Sequence, residues 1–228
     1  MTVRTCVFDA YGTLFDVSAA ARAAASEIAF ASLADTWPML SERWRQKQLQ
    51  YTWLRAITGD HTDFWTVTQD GLDWALDSMG LRDRSLRARL LELYRELGAY
   101  PEVPAMLNAL KSAGFDTAIL SNGSPDMLDT AVSSAGIGDL LDAILSVESV
   151  GVFKPDARVY DLVGSHFGTR RYEVLFVSSN GWDAAGASGY GFHTVWVNRA
   201  NEPVDRLPGR PNNILSDLTA IPDIAKAL

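Results

Sequence analysis

Short apolar runs separated by longer amphipathic stretches make up most of this chain. Five runs read as strands: "TCVFDA", "DTAILSNG", "DAILSV", "EVLFVSSN" and "HTVWVN". None alternates strictly between apolar and polar residues, so each is expected to be buried on both faces, as in a parallel sheet. Helix-like stretches lie between them at Val103–Ala113, Pro125–Ala135 and Asp156–Phe167. This alternation predicts a Rossmann-like, doubly wound α/β fold.

The spacing between the first two strands differs from the rest. Residues 11–115 separate them, far more than one crossover helix needs. Within this segment "MLSERWRQKQLQYTWLRAI", "GLDWALDSMGL" and "SLRARLLELYREL" read as helices. We therefore predict an inserted helical cap domain at residues 17–98 and a catalytic core at residues 1–16 and 99–228. A long structureless loop is the poorer alternative.

Composition and charge narrow the class of protein. The 228 residues carry a formal net charge of -8 without a dense Lys/Arg cluster, which argues against a nucleic-acid partner. No apolar run approaches the roughly 20 residues of a membrane span, so no membrane partner is expected. Cys6, the single cysteine, has no disulfide partner and is interpreted as a small packed hydrophobe. These features are typical of a soluble protein of the reducing cytoplasm.

Polar residues end most of the predicted strands. They are Asp9, then Ser121 and Asn122, then the segment 178–180, then Asn198. In open parallel sheets ligands bind at the carboxyl ends of the strands, so these residues are predicted to face one crevice.

Asp9 is the first candidate for chemistry, because it closes an apolar strand just before Gly12. A carboxylate there is either a sheet-end polar residue or a nucleophile presented to the crevice. Two residues further on stands Tyr11, whose unperturbed pKa of about 10 makes it a poor proton donor near neutral pH. Its ring could instead wall an apolar pocket.

Two cations are candidates for partners of an anion. Arg45 heads a face of four-residue spacing that includes Leu49 and Trp53, and it either snorkels to water or reaches across a cleft to an anion. Lys154 precedes Pro155, which favours an extended backbone. The lysine is either solvated or close to a carboxylate, whose pKa it would lower by about 1 to 3 units.

Four motifs, taken together, resemble one superfamily. "FDAYGTLFD", "LSNGS", "KPD" with Tyr160 after it, and "SSNGWD" are similar to the haloacid dehalogenase superfamily and, more narrowly, to the L-2-haloacid dehalogenases. The resemblance covers nearly the whole chain, including "WRQKQLQYTWLR". It implies hydrolysis of short L-2-haloacids to D-2-hydroxy acids with inversion at C2, through an ester on Asp9. Phosphatase relatives carry an acid where Tyr11 stands, which a departing halide does not require.

The resemblance also implies the site residues. Catalytic roles fall on Asp9, Thr13, Arg45, Ser121, Lys154, Tyr160, Ser178, Asn180 and Asp183. Substrate would contact Ala10, Tyr11, Arg45, Gln46, Leu49, Phe64, Ser121, Asn122 and Trp182. Arg45 would receive the halide, Lys154 would keep Asp9 ionised, and Asp183 would position water. The alternatives are a helix cap for Asp183, strand-end hydrogen bonds for Ser121 and ordinary core for the apolar residues and Tyr160.

No metal and no cofactor are expected. Asp9 and Asp183 could supply two carboxylates to Mg²⁺, but the substrate brings no phosphate and other acids are lacking. The other functions considered are a Mg²⁺-dependent phosphatase of the same superfamily and a catalytically silent binding protein. The resemblance also allows a homodimer, although no interface stands out in the sequence. His61, His166 and His193 receive no role.

Overall fold

Six parallel strands form the central sheet of the computed structural model, which describes residues 2–228. The strands are β1 Thr5–Phe8, β2 Asp116–Ser121, β3 Ala143–Ser146, β4 Val174–Ser178, β5 His193–Val197 and β6 Asn213–Leu215. They lie in the order β3-β2-β1-β4-β5-β6, and every neighbouring pair is parallel. The predicted doubly wound α/β fold is confirmed. β3 is only partly buried, contrary to expectation, because it lies at an edge of the sheet.

Helices surround the sheet and fill the long connection after β1. They are α1 Ala19–Ser26, α2 Trp37–Thr58, α3 Phe64–Ser78, α4 Arg84–Arg95, α5 Val103–Ser112, α6 Pro125–Ser134, α7 Ala157–Phe167, α8 Gly181–Tyr190 and α9 Ile221–Ala227. Between β1 and β2, α2 packs along α3 and α1 packs against α4. Within residues 2–228, no helix has both the length and the apolar character needed to cross a membrane.

The sequence explains where several helices begin and end. Asp63, Asp83 and Asp156 accept backbone hydrogen bonds in the first turns of α3, α4 and α7, which satisfies amides that have no partner within the helix. Gly59 and Gly168 follow α2 and α7 in the left-handed conformation that glycine adopts without strain.

The two segments that lead into and out of the helical insertion lie side by side. The Tyr100 amide donates to the carbonyl of Leu14 (2.9 Å), and the Asp16 amide donates to the carbonyl of Gly98 (3.2 Å). Division into a cap at residues 17–98 and a core on either side stays a prediction, and this pairing is the feature that supports it.

The centre of the sheet is fully buried. All four residues of β1 and all five of β4 are buried, and their carboxyl ends carry the polar residues into the crevice. Cys6 lies in this interior, and burial raises the pKa of its thiol to about 12. The interpretation of Cys6 as a packed residue is therefore confirmed.

Candidate active site

Asp9 follows β1 and lies on a turn that the sequence makes tight. Gly12 has φ +92°, and a Cβ there would come within 3.1 Å of the Ser179 hydroxyl. The turn brings Thr13 back so that its hydroxyl donates to Asp9 Oδ2 (2.9 Å), while the Ser179 amide donates to that same hydroxyl (2.8 Å). Ser179 belongs to the site, although the sequence reasoning did not select it.

Lys154 joins two buried carboxylates. Its Nζ lies 3.1 Å from Asp9 Oδ1 and 2.9 Å from Asp183 Oδ2, and its side chain is 1% exposed. Burial disfavours the ammonium, but the charges of Asp183 and Asp9 outweigh it and raise the pKa of Lys154. Burial raises the pKa of Asp183; Lys154 opposes this rise and Asp9 adds to it. The lysine thus stays charged and serves both carboxylates.

Asp183 lies in the first turn of α8, but its carboxylate does not cap that helix. One oxygen accepts from Lys154, and the other accepts from the hydroxyl of Tyr160 at 2.8 Å. Tyr160 is buried, and burial together with the charge of Asp183 raises its pKa well above the ordinary value, so it remains a donor. These contacts replace the helix-cap alternative with a buried network.

Asn180 bridges the two sides of the crevice. Its Nδ2 donates to Asp9 Oδ2 (2.9 Å), and its Oδ1 accepts from Arg45 Nη2 (3.1 Å). The backbone amide of Asn180 donates to the Ser178 hydroxyl (3.1 Å), which helps to fix the turn after β4. Ser178 therefore acts on the site through Asn180.

Arg45 points from α2 into the crevice rather than to water. Nη2 also donates to the carbonyl of Tyr11 (3.1 Å), and Nη1 donates to Gln48 Oε1 (2.9 Å). Gln48 is 1% exposed, and its Nε2 donates to the Thr68 hydroxyl (2.7 Å) and the Tyr94 hydroxyl (3.2 Å). A buried, fully bonded amide thus holds Arg45 in place.

Gln46 was predicted from the sequence to line the substrate pocket, whereas Gln48 was given no role. The structure does not bring Gln46 to the crevice, because its side chain is exposed and its Nε2 donates to Glu42 one turn earlier (2.9 Å). The assignment of Gln46 to the substrate pocket is therefore not supported. The signal for Gln48 was its position three residues after Arg45, on the same side of α2.

Aromatic rings form one wall above Asp9. The ring of Tyr11 is stacked on Tyr94 at 5.7 Å and lies 5.8 Å from Phe64. Burial raises the pKa of Tyr11 well above its ordinary value, so this side chain is a wall and not an acid. Ala10, before it, is fully buried.

A cleft of about 480 Å³ is lined in part by Arg45, Leu49, Asn180 and Trp182. Trp182 is partly buried and meets Trp53 edge-on at 5.5 Å. Leu49 and Trp182 thus line the same cleft as Arg45 and Asn180, and their contact with a substrate stays a prediction.

Ser121 and Asn122 shape the end of β2. The Ser121 hydroxyl accepts from the Gly123 amide (3.0 Å), and Asn122 Oδ1 accepts from the backbone amide of Lys154 (2.9 Å). These are the strand-end hydrogen bonds of the simpler alternative. A role for Ser121 in holding a substrate carboxylate stays a prediction.

Related phosphatases use a magnesium ion, and the residues here do not fit one. Asp9 Oδ2 accepts from Thr13 and Asn180, while Asp183 Oδ1 accepts from Tyr160. The remaining carboxylate oxygens share the ammonium of Lys154. The Lys154 ammonium thus lies between the two carboxylates that a magnesium ion would need, and within residues 2–228 no third acidic, histidine or cysteine side chain joins them in a cluster that could hold a metal.

Comparisons with known proteins agree with this geometry. The family model of haloacid dehalogenase-like hydrolases matches residues 3–191. The chain is 44% identical over 223 residues to (S)-2-haloacid dehalogenase 1 of Pseudomonas sp. (strain CBS-3), covering 97% of this chain and 96% of that one. The chain therefore belongs to the haloacid dehalogenase-like hydrolases, within the family of the (S)-2-haloacid dehalogenases.

Two solved structures are similar to this chain in backbone fold as well as in sequence. A dehalogenase with an intermediate complex aligns with a TM-score of 0.94 at 38% identity, covering 99% of this chain and 98% of that one. The L-2-haloacid dehalogenase from Xanthobacter autotrophicus with chloropropionic acid covalently bound aligns with a TM-score of 0.88 at 35% identity, covering all of both chains.

Proposed function

We propose that this protein hydrolyses short L-2-haloacids to D-2-hydroxy acids and halide, with Asp9 as the nucleophile. The observation that carries the proposal is the buried Asp9 carboxylate whose Oδ1 accepts from the Lys154 ammonium at 3.1 Å, with Tyr11 where a phosphatase has its acid. The names of the relatives and the covalent complex of one of them support the same reaction.

In the first step an oxygen of Asp9 attacks C2 from the side opposite the halogen. The new C–O bond forms as the carbon–halogen bond breaks, so the halide leaves with the bonding electrons and C2 inverts. Thr13 and Asn180 orient the carboxylate through Oδ2, and Arg45 receives the halide. Attack requires C2 about 3 to 3.5 Å from the nucleophile, which the aromatic wall helps to enforce.

In the second step water attacks the carboxyl carbon of the Asp9 ester. The bond between that carbon and the ester oxygen on C2 breaks, so the configuration at C2 is kept. One water proton ends on the product hydroxyl and the other is released, which regenerates the Asp9 carboxylate. Asn180 donates to Asp9 Oδ2, and Asp183 is joined to Asp9 Oδ1 through Lys154; we assign the positioning of the water to this pair. Closure of the proposed cap at residues 17–98 would keep other water out of the crevice.

The carboxylate of the substrate needs donors of its own. Ser121 and the amides before α6 lie at the end of β2, where the N-terminus of a helix favours an anion. With Asn122, Leu49, Phe64 and Trp182 they complete the proposed pocket. The relatives favour this reaction over the Mg²⁺-dependent phosphatase considered as the alternative.

The test is halide release from each enantiomer of 2-chloropropionate, with and without a chelator. We expect release from the (S) enantiomer only, unchanged by the chelator. Activity that requires added Mg²⁺ would instead favour the phosphatase, and binding without release would favour a silent binding protein.

A single turnover in ¹⁸O-labelled water tests the ester itself. The first hydroxy acid should carry unlabelled oxygen from Asp9, because the water attacks the carboxyl carbon and not C2. Immediate full labelling of the product would rule out the ester.

Location and assembly are further parts of the proposal. The single buried thiol of Cys6 suits the reducing cytoplasm. A homodimer rests on the resemblance alone, and sedimentation velocity of the purified protein measures it.

A further inference from the structure

Glu148 forms a contact that the proposed reaction does not use. It lies in a short 3-10 turn after β3, at Val147–Ser149, and its carboxylate reaches the beginning of α3. Oε1 accepts from the backbone amide of Phe64 (3.2 Å), and Oε2 lies 2.9 Å from His61 Nε2. Because a carboxylate only accepts, Nε2 carries the shared hydrogen.

The position of Glu148 is itself fixed by the core. Its backbone amide donates to the Ser146 hydroxyl (3.2 Å), which in turn donates to the carbonyl of Gly123 (2.7 Å). Gly123 belongs to the loop after β2 and packs closely against the ring of Tyr11, since a Cβ on this glycine would lie 2.7 Å from that ring. Glu148 is therefore attached to the same loops that shape the crevice.

The helix end that Glu148 holds carries a residue of the crevice wall. Phe64 is 1% exposed and lies 5.8 Å from the Tyr11 ring and 6.3 Å from the Phe153 ring. The His61 ring lies 4.7 Å from Phe153, the residue before Lys154. Any shift at the beginning of α3 would move the Phe64 ring relative to Tyr11.

Two carboxylates share the first turn of α3. Asp63, the N-cap, accepts from the Thr66 amide (3.0 Å), whereas Glu148 comes from a distant part of the chain and accepts from the Phe64 amide. Free amides and the helix dipole both favour negative charge at this end. Glu148 thus joins the helical insertion to the core through a hydrogen bond to a charged acceptor.

We propose that Glu148 is a positioning residue that docks α3 on the core and so sets the place of the Phe64 ring in the substrate pocket. This inference rests on the proposed dehalogenation. It assigns to Glu148 no contact with the reacting atoms, and its effect reaches the substrate through Phe64.

The first test compares Glu148→Ala with the parent protein on (S)-2-chloropropionate and (S)-2-chlorobutyrate. A hydrogen bond to a charged group is lost, so we expect KM to rise by about tenfold or more with a smaller change in kcat. A loosened Phe64 ring leaves more room, so the ratio of kcat/KM for chlorobutyrate over chloropropionate should rise by at least about threefold.

Asp83→Ala is the matched control. Asp83 also places a carboxylate at the first turn of a helix in the insertion, accepting from the Ser85 (2.8 Å) and Leu86 (3.3 Å) amides of α4. The hydrogen bonds of its side chain, among residues 2–228, stay within residues 83–86. This control should lower Tm to a similar degree, but leave KM and the selectivity ratio unchanged.

Two further measurements separate the proposed docking role of Glu148 from a folding defect and from failure of the proposed reaction. Glu148→Gln keeps an oxygen that can accept from the Phe64 amide and should recover most of the parent KM. Amide hydrogen exchange, which needs no activity, should accelerate at residues 61–67 in Glu148→Ala and not in Asp83→Ala. If the parent releases no halide, the proposed function fails, and exchange still decides whether Glu148 docks α3.

The inference is overturned if Glu148→Ala matches Asp83→Ala in KM, selectivity and exchange. It is equally overturned if the activity of Glu148→Ala falls only in step with Tm, with an unchanged ratio between the two substrates.

Discussion

Lys154 and Arg45 both bring positive charge to the crevice, but their partners differ in kind. Lys154 comes from the loop before α7, is 1% exposed, and binds the carboxylates of Asp9 and Asp183. Arg45 comes from α2 in the insertion and is partly buried. Among residues 2–228, the hydrogen-bond acceptors of its guanidinium are neutral oxygens of Tyr11, Gln48 and Asn180.

This difference in hydrogen-bond partners supports a different electrostatic role for each of the two cations. The charge of Lys154 is already compensated by the carboxylates of Asp9 and Asp183, so it belongs to a closed network around the proposed nucleophile. In the part of the chain that the structure describes, no carboxylate is hydrogen-bonded to Arg45, so its charge can stabilise an anion that arrives or forms nearby. This contrast supports the proposed division, in which Lys154 serves the resting site and Arg45 serves the substrate and the leaving halide.

Asp9→Asn should have the largest effect, because it removes the carboxylate that accepts from Lys154 and that is the proposed nucleophile. We expect turnover to fall by at least about 10⁴-fold, since an amide is not a competent nucleophile for this displacement. Halide release measures the rate, and intact mass spectrometry excludes deamidation back to the acid. Turnover at the parent rate with the amide intact would contradict the proposed mechanism.

Lys154→Met tests the resting role of the lysine. It leaves two buried carboxylates without their cation, so we expect the free energy of unfolding to fall by about 3 to 5 kcal/mol and turnover by about 10³-fold. Urea denaturation at neutral pH measures the first effect and halide release the second.

The pH dependence of this stability difference follows from the raised pKa of Lys154. A raised pKa means that the stabilisation is complete below the unfolded lysine value of about 10.4 and is lost as pH rises through the folded value. The parent should therefore keep its advantage at pH 9 and lose it only above about pH 10.4. Lys111→Met, which removes a partly exposed ion pair with Asp142, should cost no more than about 1 kcal/mol.

The sequence predicted the Lys154 side of this comparison well. Asp9 directly follows one strand, and Asn180 and Asp183 follow another, so parallel topology alone places them at the same edge of the sheet. Gly12, at φ +92°, similarly allows the tight turn that returns Thr13 to the carboxylate, because glycine adopts this conformation without strain. These positions follow from local order along the chain and from the handedness of the fold.

The cap side was predicted less well, because it depends on tertiary packing. Successive side chains on a helix differ by about 100° in direction, so the rotation of α2 decides whether Gln46 or Gln48 is buried. That rotation is set by close packing on α3, where a Cβ on Gly71 would lie 3.2 Å from the backbone of Gln48. The local sequence pattern of α2 does not predict this rotation.

Contacts between distant segments escaped the sequence reasoning for the same reason. His61 and Glu148 are 87 positions apart, and neither belongs to a periodic pattern. β6 was missed because its three residues, Asn213–Leu215, are too few to show any period. Such contacts and short strands can be predicted only when the folded surfaces that they join are known.

Arg45→Lys tests the proposed role of Arg45 towards the substrate and the leaving halide. The variant keeps the positive charge but loses the planar donor fork, so we expect turnover to fall by about 10²-fold with little change in unfolding free energy. The inhibition constant for added bromide should rise by about tenfold, because the halide loses its donors. Arg43→Lys, on the same helix and bonded to Ser78, is the control that should alter neither value. Bromide inhibition unchanged by Arg45→Lys would remove the halide role.

Gln48→Met should have the smallest effect, because it changes only the support of Arg45. The variant keeps the volume of the side chain but removes the acceptor for Arg45 Nη1, so we expect turnover to fall by about tenfold. Gln50→Met, an exposed change on the same helix, should leave turnover unaltered. If Gln48 acts through Arg45, adding Gln48→Met to Arg45→Lys should cost little further activity, because residues in one hydrogen-bond network are not additive. A full additional tenfold loss in the double variant would mean that Gln48 acts on the substrate by a route that does not pass through the arginine.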